Sequence, residues 1–257
     1  MEILTEHAWR VAEQVLTAEQ ARRSHVVVAL SGAHAYGFPS PDSDLDLKAI
    51  HVAETAQLLG FGRIAESADR LEVIDGVEID YTSNELRPVL VGILAGNGNY
   101  IERVLGHLSA YTSPTHDELR PLVSAALSQR VYGHYRGFAA NQRRAFEQAE
   151  QPTAKKLLYV LRTALTGVHL LRAGELRIDL NTTADEYGFA EAAELIAAKS
   201  AGERVTLDPR ARQRWADKLD QLFELLDRAR DRSCLPAEPA NAAQLESWLI
   251  ELRKRGL

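Results

Sequence analysis

The sequence predicts an α/β or α+β lobe followed by a purely helical one, on three observations. Strand-like segments separated by turn signals end near residue 83, and beyond it the apolar spacing becomes almost entirely helical. The charge divides in a similar place: Ser31 to Arg120 carries 14 acidic and 6 basic residues, net −8, whereas Pro121 to Glu175 carries 3 acidic and 8 basic, net +5. The 257 residues, 46% hydrophobic and 26% charged, hold enough apolar mass for one large core or two modest ones, which excludes disorder and fibres. The expected domains are residues 1–120 and 121–257.

The elements follow in order. Glu6 to Ala21 reads as a helix, with Ala8, Trp9, Val11, Ala12, Val15 and Leu16 at near-helical spacing. His25 to Leu30 is a continuous, β-branched-rich run that fits a buried strand and stops at Ser31-Gly32, and a short helix is expected near Ala33. Leu45 to Val52 is a second strand. Leu71 to Ile74 and Val77 to Ser83 form a hairpin around Asp75-Gly76, a dipeptide that favours a tight turn. A helix from Asn84 to Ala95 is stopped by Gly96-Asn97-Gly98, and another starts near Asn99, where Asn97 or Asn99 serves as a cap and Glu102 suits the first turn. Pro114 and Pro121 mark helix starts, and long helices are expected at about 121–149, 152–173, 187–200, 208–230 and 239–254.

Several classes of protein are set aside at this level. The apolar runs Val26 to Leu30 and Val89 to Ala95 fall far short of the roughly 18 to 20 residues of a membrane span. The start carries Glu2 and Glu6 before any Arg, unlike a secretory signal. The single cysteine, Cys234, cannot form an internal disulfide and agrees with a reducing cytoplasm. A net charge of −6 disfavours indiscriminate nucleic-acid binding.

The informative stretch runs from Ser31 to Ile50, SGAHAYGFPSPDSDLDLKAI. Asp44 and Asp46 lie two apart on a predicted strand, so both carboxylates leave one face while Leu45 and Leu47 leave the other. Such a pair repels itself unless a cation sits between, and a hard divalent ion such as Mg²⁺, which keeps positions open for phosphate oxygens, is the natural occupant. Just upstream, the buried strand enters a glycine turn and a helix start at Gly32-Ala33, where backbone N–H groups make an anion site. A phosphate cradle and a metal pair a dozen residues apart together describe a nucleoside triphosphate site.

On these residues the chain resembles the DNA polymerase β-like nucleotidyltransferase superfamily, whose signature is a Gly-Ser turn followed by D-x-D on a strand. More narrowly, Gly32, His34, Ala35, Tyr36, Gly37, Pro41, Asp42, Ser43, Asp44, Asp46 and Leu47 resemble the bacterial and phage predicted nucleotidyltransferases of the RNA-repair-associated RlaP type. The likeness continues through Asp80-Tyr81, Glu85 to Leu94, Gly96 to Asn99 with Glu102, then Tyr135, Gln142, Lys155, Lys156 and Arg162, and fades after about Glu175. It implies an α+β fold, a small mixed sheet with helices on one side followed by the helical lobe. It also implies two Mg²⁺ or Mn²⁺ ions held by Asp44, Asp46 and Asp80, an NTP substrate, pyrophosphate release, and an RNA end as the favoured acceptor. Glu78, on the same predicted face as Asp80, is the alternative third carboxylate.

One departure matters: Ala33 stands where the superfamily has Ser, so a hydroxyl that helps hold the terminal phosphates is absent. Ser43 and His34 are the residues that would compensate. On the helix from about Lys155 to Arg172, the residues Lys155, Tyr159, Arg162, Thr166 and His169 form one polar stripe on an otherwise apolar surface. Lys155 and Arg162 are therefore expected to face a cleft and meet phosphates, the alternative being pairing with acids on a neighbouring helix. Arg143 and Arg144 read as a solvated face, and Trp9, Trp215 and Trp248 as packing. Three functions remain open: nucleotidyl transfer to an RNA end, AMP transfer to a protein or small-molecule hydroxyl, and non-catalytic nucleotide or RNA binding.

Overall fold

The computed structural model describes residues 4–61, 65–200, 202 and 205–256, which leaves Glu2 outside the described part. Five strands form one sheet in the order β3-β4-β2-β1-β5, built from β1 Ser24–Leu30, β2 Leu45–Val52, β3 Ser67–Ile74, β4 Val77–Glu85 and β5 Ser109–Thr112. β2 and β4 run parallel and every other pair is antiparallel, so the sheet is mixed and the chain is α+β. The β3–β4 hairpin turns at Asp75 (φ 48°) and Gly76 (φ 81°), two successive left-handed residues that match the twist of paired strands. β5, four residues long and half-exposed, offers no alternating run and has no counterpart in the sequence reading.

Alternation decides which face of the sheet is core. Leu45, Leu47 and Ala49 of β2, Ile79 and Tyr81 of β4, and Val28 and Leu30 of β1 pack with Val11, Ala12, Val15 and Leu16 of α1 (Glu6–Gln20). α1 begins at Thr5, whose hydroxyl accepts the Ala8 N–H. Further polar residues are buried around the same strands. Glu19, 2% exposed, accepts from Arg22, Arg23 and Arg70. The Tyr81 hydroxyl lies 3.2 Å from Arg23 Nη1 and 2.7 Å from His25 Nε2, and His51 Nδ1 lies 2.8 Å from Ser83 Oγ.

The helices α3 Thr55–Leu59, α4 Leu86–Leu94, α5 Gly98–Leu105, α6 Pro114–Ala125 and α12 Ala242–Arg255 complete the sheet unit. Asn97 caps α5 by accepting the Asn99 N–H at 3.0 Å. Pro121 does not start a helix; it sits inside α6. The ring forfeits one bond, to the Asp117 carbonyl, on an exposed turn where water can replace it. The helix expected over 121–149 is divided: α6 ends at Ala125, and α7 begins only at Val131 and runs to Glu147.

Contacts divide the chain into one unit of residues 1–32, 44–127 and 239–257, and another of 33–43 and 128–238. A single boundary at 120/121 does not describe this grouping, because α12 returns to the sheet unit. Glu85, 2% exposed, shows why: its carboxylate caps α4 through the Arg87 N–H at 2.7 Å and receives the Arg253 guanidinium. Arg253 also donates to the Ala53 carbonyl at 2.8 Å, and its own carbonyl accepts from Thr55. α2 (Gly32–Tyr36) starts on the last residue of the first unit's opening segment and otherwise belongs to the second unit. α8 (Ala154–Ala173) is buried along most of its length against α7, α9 (Leu180–Glu186), α10 (Ala192–Ser200) and α11 (Pro209–Asp231). No helix among the described residues is long and apolar enough to cross a membrane.

Two stability predictions arise here. Arg253→Ala leaves a buried carboxylate unpaired and should cost about 3 kcal/mol in urea unfolding. Burial, reinforced by the Arg23 and His51 charges, pushes the His25 imidazole down to about 4 from its ordinary 6.5. The folded chain thus holds it neutral, so its contribution is complete above pH 6.5 and is lost as pH falls toward 4. Stability measured across that window should drop by about 1–3 kcal/mol, and His25→Gln should flatten the slope.

Candidate active site

The parallel pairing of β2 with β4 sets Asp46 directly beside Asp80, with Leu45 beside Ile79 and Leu47 beside Tyr81. Because the leucines face the α1 core, both carboxylates leave the opposite face. Asp46 is 21% exposed at its side chain and Asp80 44%. Glu78 pairs in register with Val73 near the hairpin, a position further from Asp46 than Asp80. Asp44 lies one residue before β2 and is exposed. Burial pushes the Asp46 carboxyl above the usual carboxylate range; Lys48 pulls it back, while the charges of Asp80 and Asp44 push it further up.

A cation already sits against this pair. Lys48, two residues beyond Asp46 and therefore on the same face, places Nζ 2.7 Å from Asp80 Oδ1, 3.6 Å from Asp46 Oδ1 and 3.3 Å from the Asp80 carbonyl. The period of two that exposes Asp44 and Asp46 also exposes Lys48, so the signal for it was present in D-L-D-L-K. The position of the ammonium shows that the two carboxylates accept a shared positive charge, and their hard oxygens suit Mg²⁺ or Mn²⁺. Among the described residues, no three carboxylate, imidazole or thiol groups are arranged as a ready metal cage.

Gly32 closes the site from behind. The Ser31 N–H donates to the Asp46 carbonyl at 3.0 Å, which pins the turn to β2. Gly32 has φ 64°, and a Cβ there would lie 1.8 Å from Asp46 Oδ2, so the missing side chain is the room the carboxylate occupies. Ala33 is 5% exposed in a helix of five residues.

The other predicted binding residues belong to the helical unit and are arranged differently from the expected stripe. Arg162, 3% exposed, stacks its guanidinium 3.6 Å from the Tyr36 ring centre, and Tyr159 meets both Tyr36 and Phe38 edge-on. Thr166 is buried, and His169 is buried with Nδ1 2.9 Å from the Tyr187 hydroxyl. Only Lys155 and Tyr159 of the five are partly exposed. Arg162, Thr166 and His169 of the stripe are therefore buried within the helical unit, with Arg162 and Tyr159 against the aromatic residues of the motif. The Ser43 hydroxyl, expected to compensate for Ala33, lies 2.6 Å from Lys199 Nζ and accepts the Ser40 N–H at 2.9 Å. Lys199, wholly buried, also reaches Ser40 Oγ at 2.6 Å, an anchor 156 residues from Ser43 that no local pattern announces.

Comparison with known proteins agrees with the motif. The family model RlaP, described as the RNA repair pathway DNA polymerase beta family, matches residues 9–251. The uncharacterized protein MJ0002 of Methanocaldococcus jannaschii is 28% identical over 234 residues, 90% of this chain and 93% of its own length. The uncharacterized protein YcgL of Bacillus subtilis is 28% identical over 211 residues, 78% of this chain and 80% of its own. A solved nucleotidyltransferase-like protein from Exiguobacterium sibiricum aligns at a TM-score of 0.36 and 10% identity, over 86% of this chain and 74% of that one.

Gly32→Ala tests the geometry. The added methyl meets the Asp46 carboxylate in a left-handed backbone, so unfolding in urea should show a loss of about 1–3 kcal/mol. A variant as stable as the parent would show that the turn does not abut Asp46.

Proposed function

We propose nucleotidyl transfer from one premise: the chain belongs to the RlaP family, the RNA repair pathway DNA polymerase beta family. In this reading it moves a nucleoside monophosphate from an NTP to an acceptor hydroxyl, with a divalent cation, Mg²⁺ or Mn²⁺, held by Asp46 and Asp80 with Asp44 alongside. The observation that carries it is the register that sets Asp46 and Asp80 side by side with an ammonium between them.

The acceptor oxygen attacks the α-phosphorus, the bond from that phosphorus to the oxygen bridging to the β-phosphate breaks, and pyrophosphate leaves with the electron pair. Asp80, the more open of the two carboxylates, would take the acceptor's proton. Asp46 is held by the Gly32 turn, so its orientation is set before substrate arrives. A bound divalent ion supplies positive charge for the attacking and leaving oxygens. An RNA end is the acceptor that the family's description supports.

One observation favours a second reading, transfer to a protein hydroxyl. Leu71, 84% exposed, pairs with Asp80, and Val73, 64% exposed, pairs with Glu78. The surface beside Asp80 is thus apolar and acidic, a setting that repels a phosphate backbone and suits a polypeptide.

Incubation with α-phosphate-labelled NTPs, Mg²⁺ or Mn²⁺, and either an RNA oligonucleotide or purified proteins separates these readings. Label should enter RNA, and Asp46→Asn or Asp80→Asn should lower the rate by about 100-fold or more. Label in protein alone would replace RNA by a protein acceptor. Absence of label in every arm would overturn transfer altogether.

A further inference from the structure

We infer that Lys48 takes the place of one of the two metal ions that the resemblance implies, so that this chain holds a single divalent ion with the lysine ammonium as its second cation. The inference rests on the reading that Asp46 and Asp80 hold a divalent ion, and it concerns how many and why.

The charge count comes first. Asp44, Asp46 and Asp80 bring three negative charges to one end of the β2–β4 pair, and Lys48 brings one positive charge. The remainder is two, which one divalent ion neutralises; in the substrate-free chain a second would leave the cluster with two excess positive charges in a half-buried position. Space leads to the same number. Nζ lies 2.7 Å from Asp80 Oδ1 and 3.6 Å from Asp46 Oδ1, between the oxygens that a bridging ion would need. Two ions in a shared carboxylate site sit about 3.5 to 4 Å apart, and the ammonium fills one such seat.

Lys48 is also held there. It emerges from β2 between the buried Leu47 and Ala49, and a further contact to the Asp80 carbonyl at 3.3 Å keeps the ammonium over β4. Its side chain is 18% exposed, so leaving the carboxylates means giving up both an ion pair and a backbone acceptor. An ammonium and a metal ion differ in one useful way. The lysine stays with the chain in the absence of substrate, so the carboxylates remain together, and only the one remaining seat depends on the metal concentration.

The test counts bound Mn²⁺ on the full chain by equilibrium dialysis with electron paramagnetic resonance of the free ion. The Asp46→Asn/Asp80→Asn double variant provides the background. The expected stoichiometry is one ion for the parent, one for Lys48→Arg, which keeps the charge, and two for Lys48→Met, which keeps the length without it; circular dichroism melting verifies that each variant is folded. Two ions on the parent would overturn the inference while leaving the metal-holding carboxylates intact. One ion on Lys48→Met would overturn it as well, since the vacated seat would then be no metal position. No binding above background on the parent would remove the metal-holding reading itself and this inference with it. Should Lys48→Met fail to fold, the parent's own count still decides between one ion and two.

Discussion

The parallel ladder between β2 and β4 is the constraint on which the site depends. Pairing two strands in that register puts two carboxylates from distant parts of the sequence next to each other, at a cost in repulsion that the surroundings must offset. Lys48 offsets it electrostatically, and the Gly32 turn leaves the space that one of the carboxylates fills. A slip of one residue would turn Asp46 into the α1 core and Leu47 into solvent, so the apolar face fixes the register as firmly as the hydrogen bonds do. The chemistry and the packing are thus two sides of the same strand.

The sequence was most readable where local periodicity and turn chemistry dictate structure. β2 has the limits its alternation implies, and the hairpin turns at Asp75-Gly76, two residues that tolerate the left-handed conformation matching the twist of paired strands. It was least readable where a distant partner decides. β5 is too short to carry a pattern, and Pro121 lies within α6 because one forfeited bond on an exposed turn is affordable. Arg162 lies on a polar stripe that helical spacing makes legible, but its stacking on Tyr36, more than a hundred residues away in sequence, is announced by no local pattern. Lys48 belongs to a third kind: its face was legible, its reach to Asp80 was not.

The motif from Gly32 to Asp46 serves two masters. Gly32, Asp44 and Asp46 belong to the sheet unit, whereas Tyr36, Gly37, Ser40 and Ser43 belong to the helical one. Within the helical unit, Tyr36 packs on Arg162, and Lys199 ties Ser40 and Ser43. A Cβ at Gly37 would lie 2.4 Å from Asp179 Oδ1, the cap of α9, so this glycine makes room for a helix start. A run of residues that reads as one signature therefore meets several separate packing demands, and only part of it touches the carboxylate pair.

The return of α12 to the sheet unit has a consequence for biogenesis. Glu85 and the strands around it are synthesised well before Arg253, whose guanidinium neutralises Glu85 and lies 168 residues further along the chain. Until then water is the solvent for that carboxylate. The sheet unit consequently cannot close this ion pair until α12 has been made, and the helical unit, whose residues all precede α12 in the chain, has the opportunity to fold first.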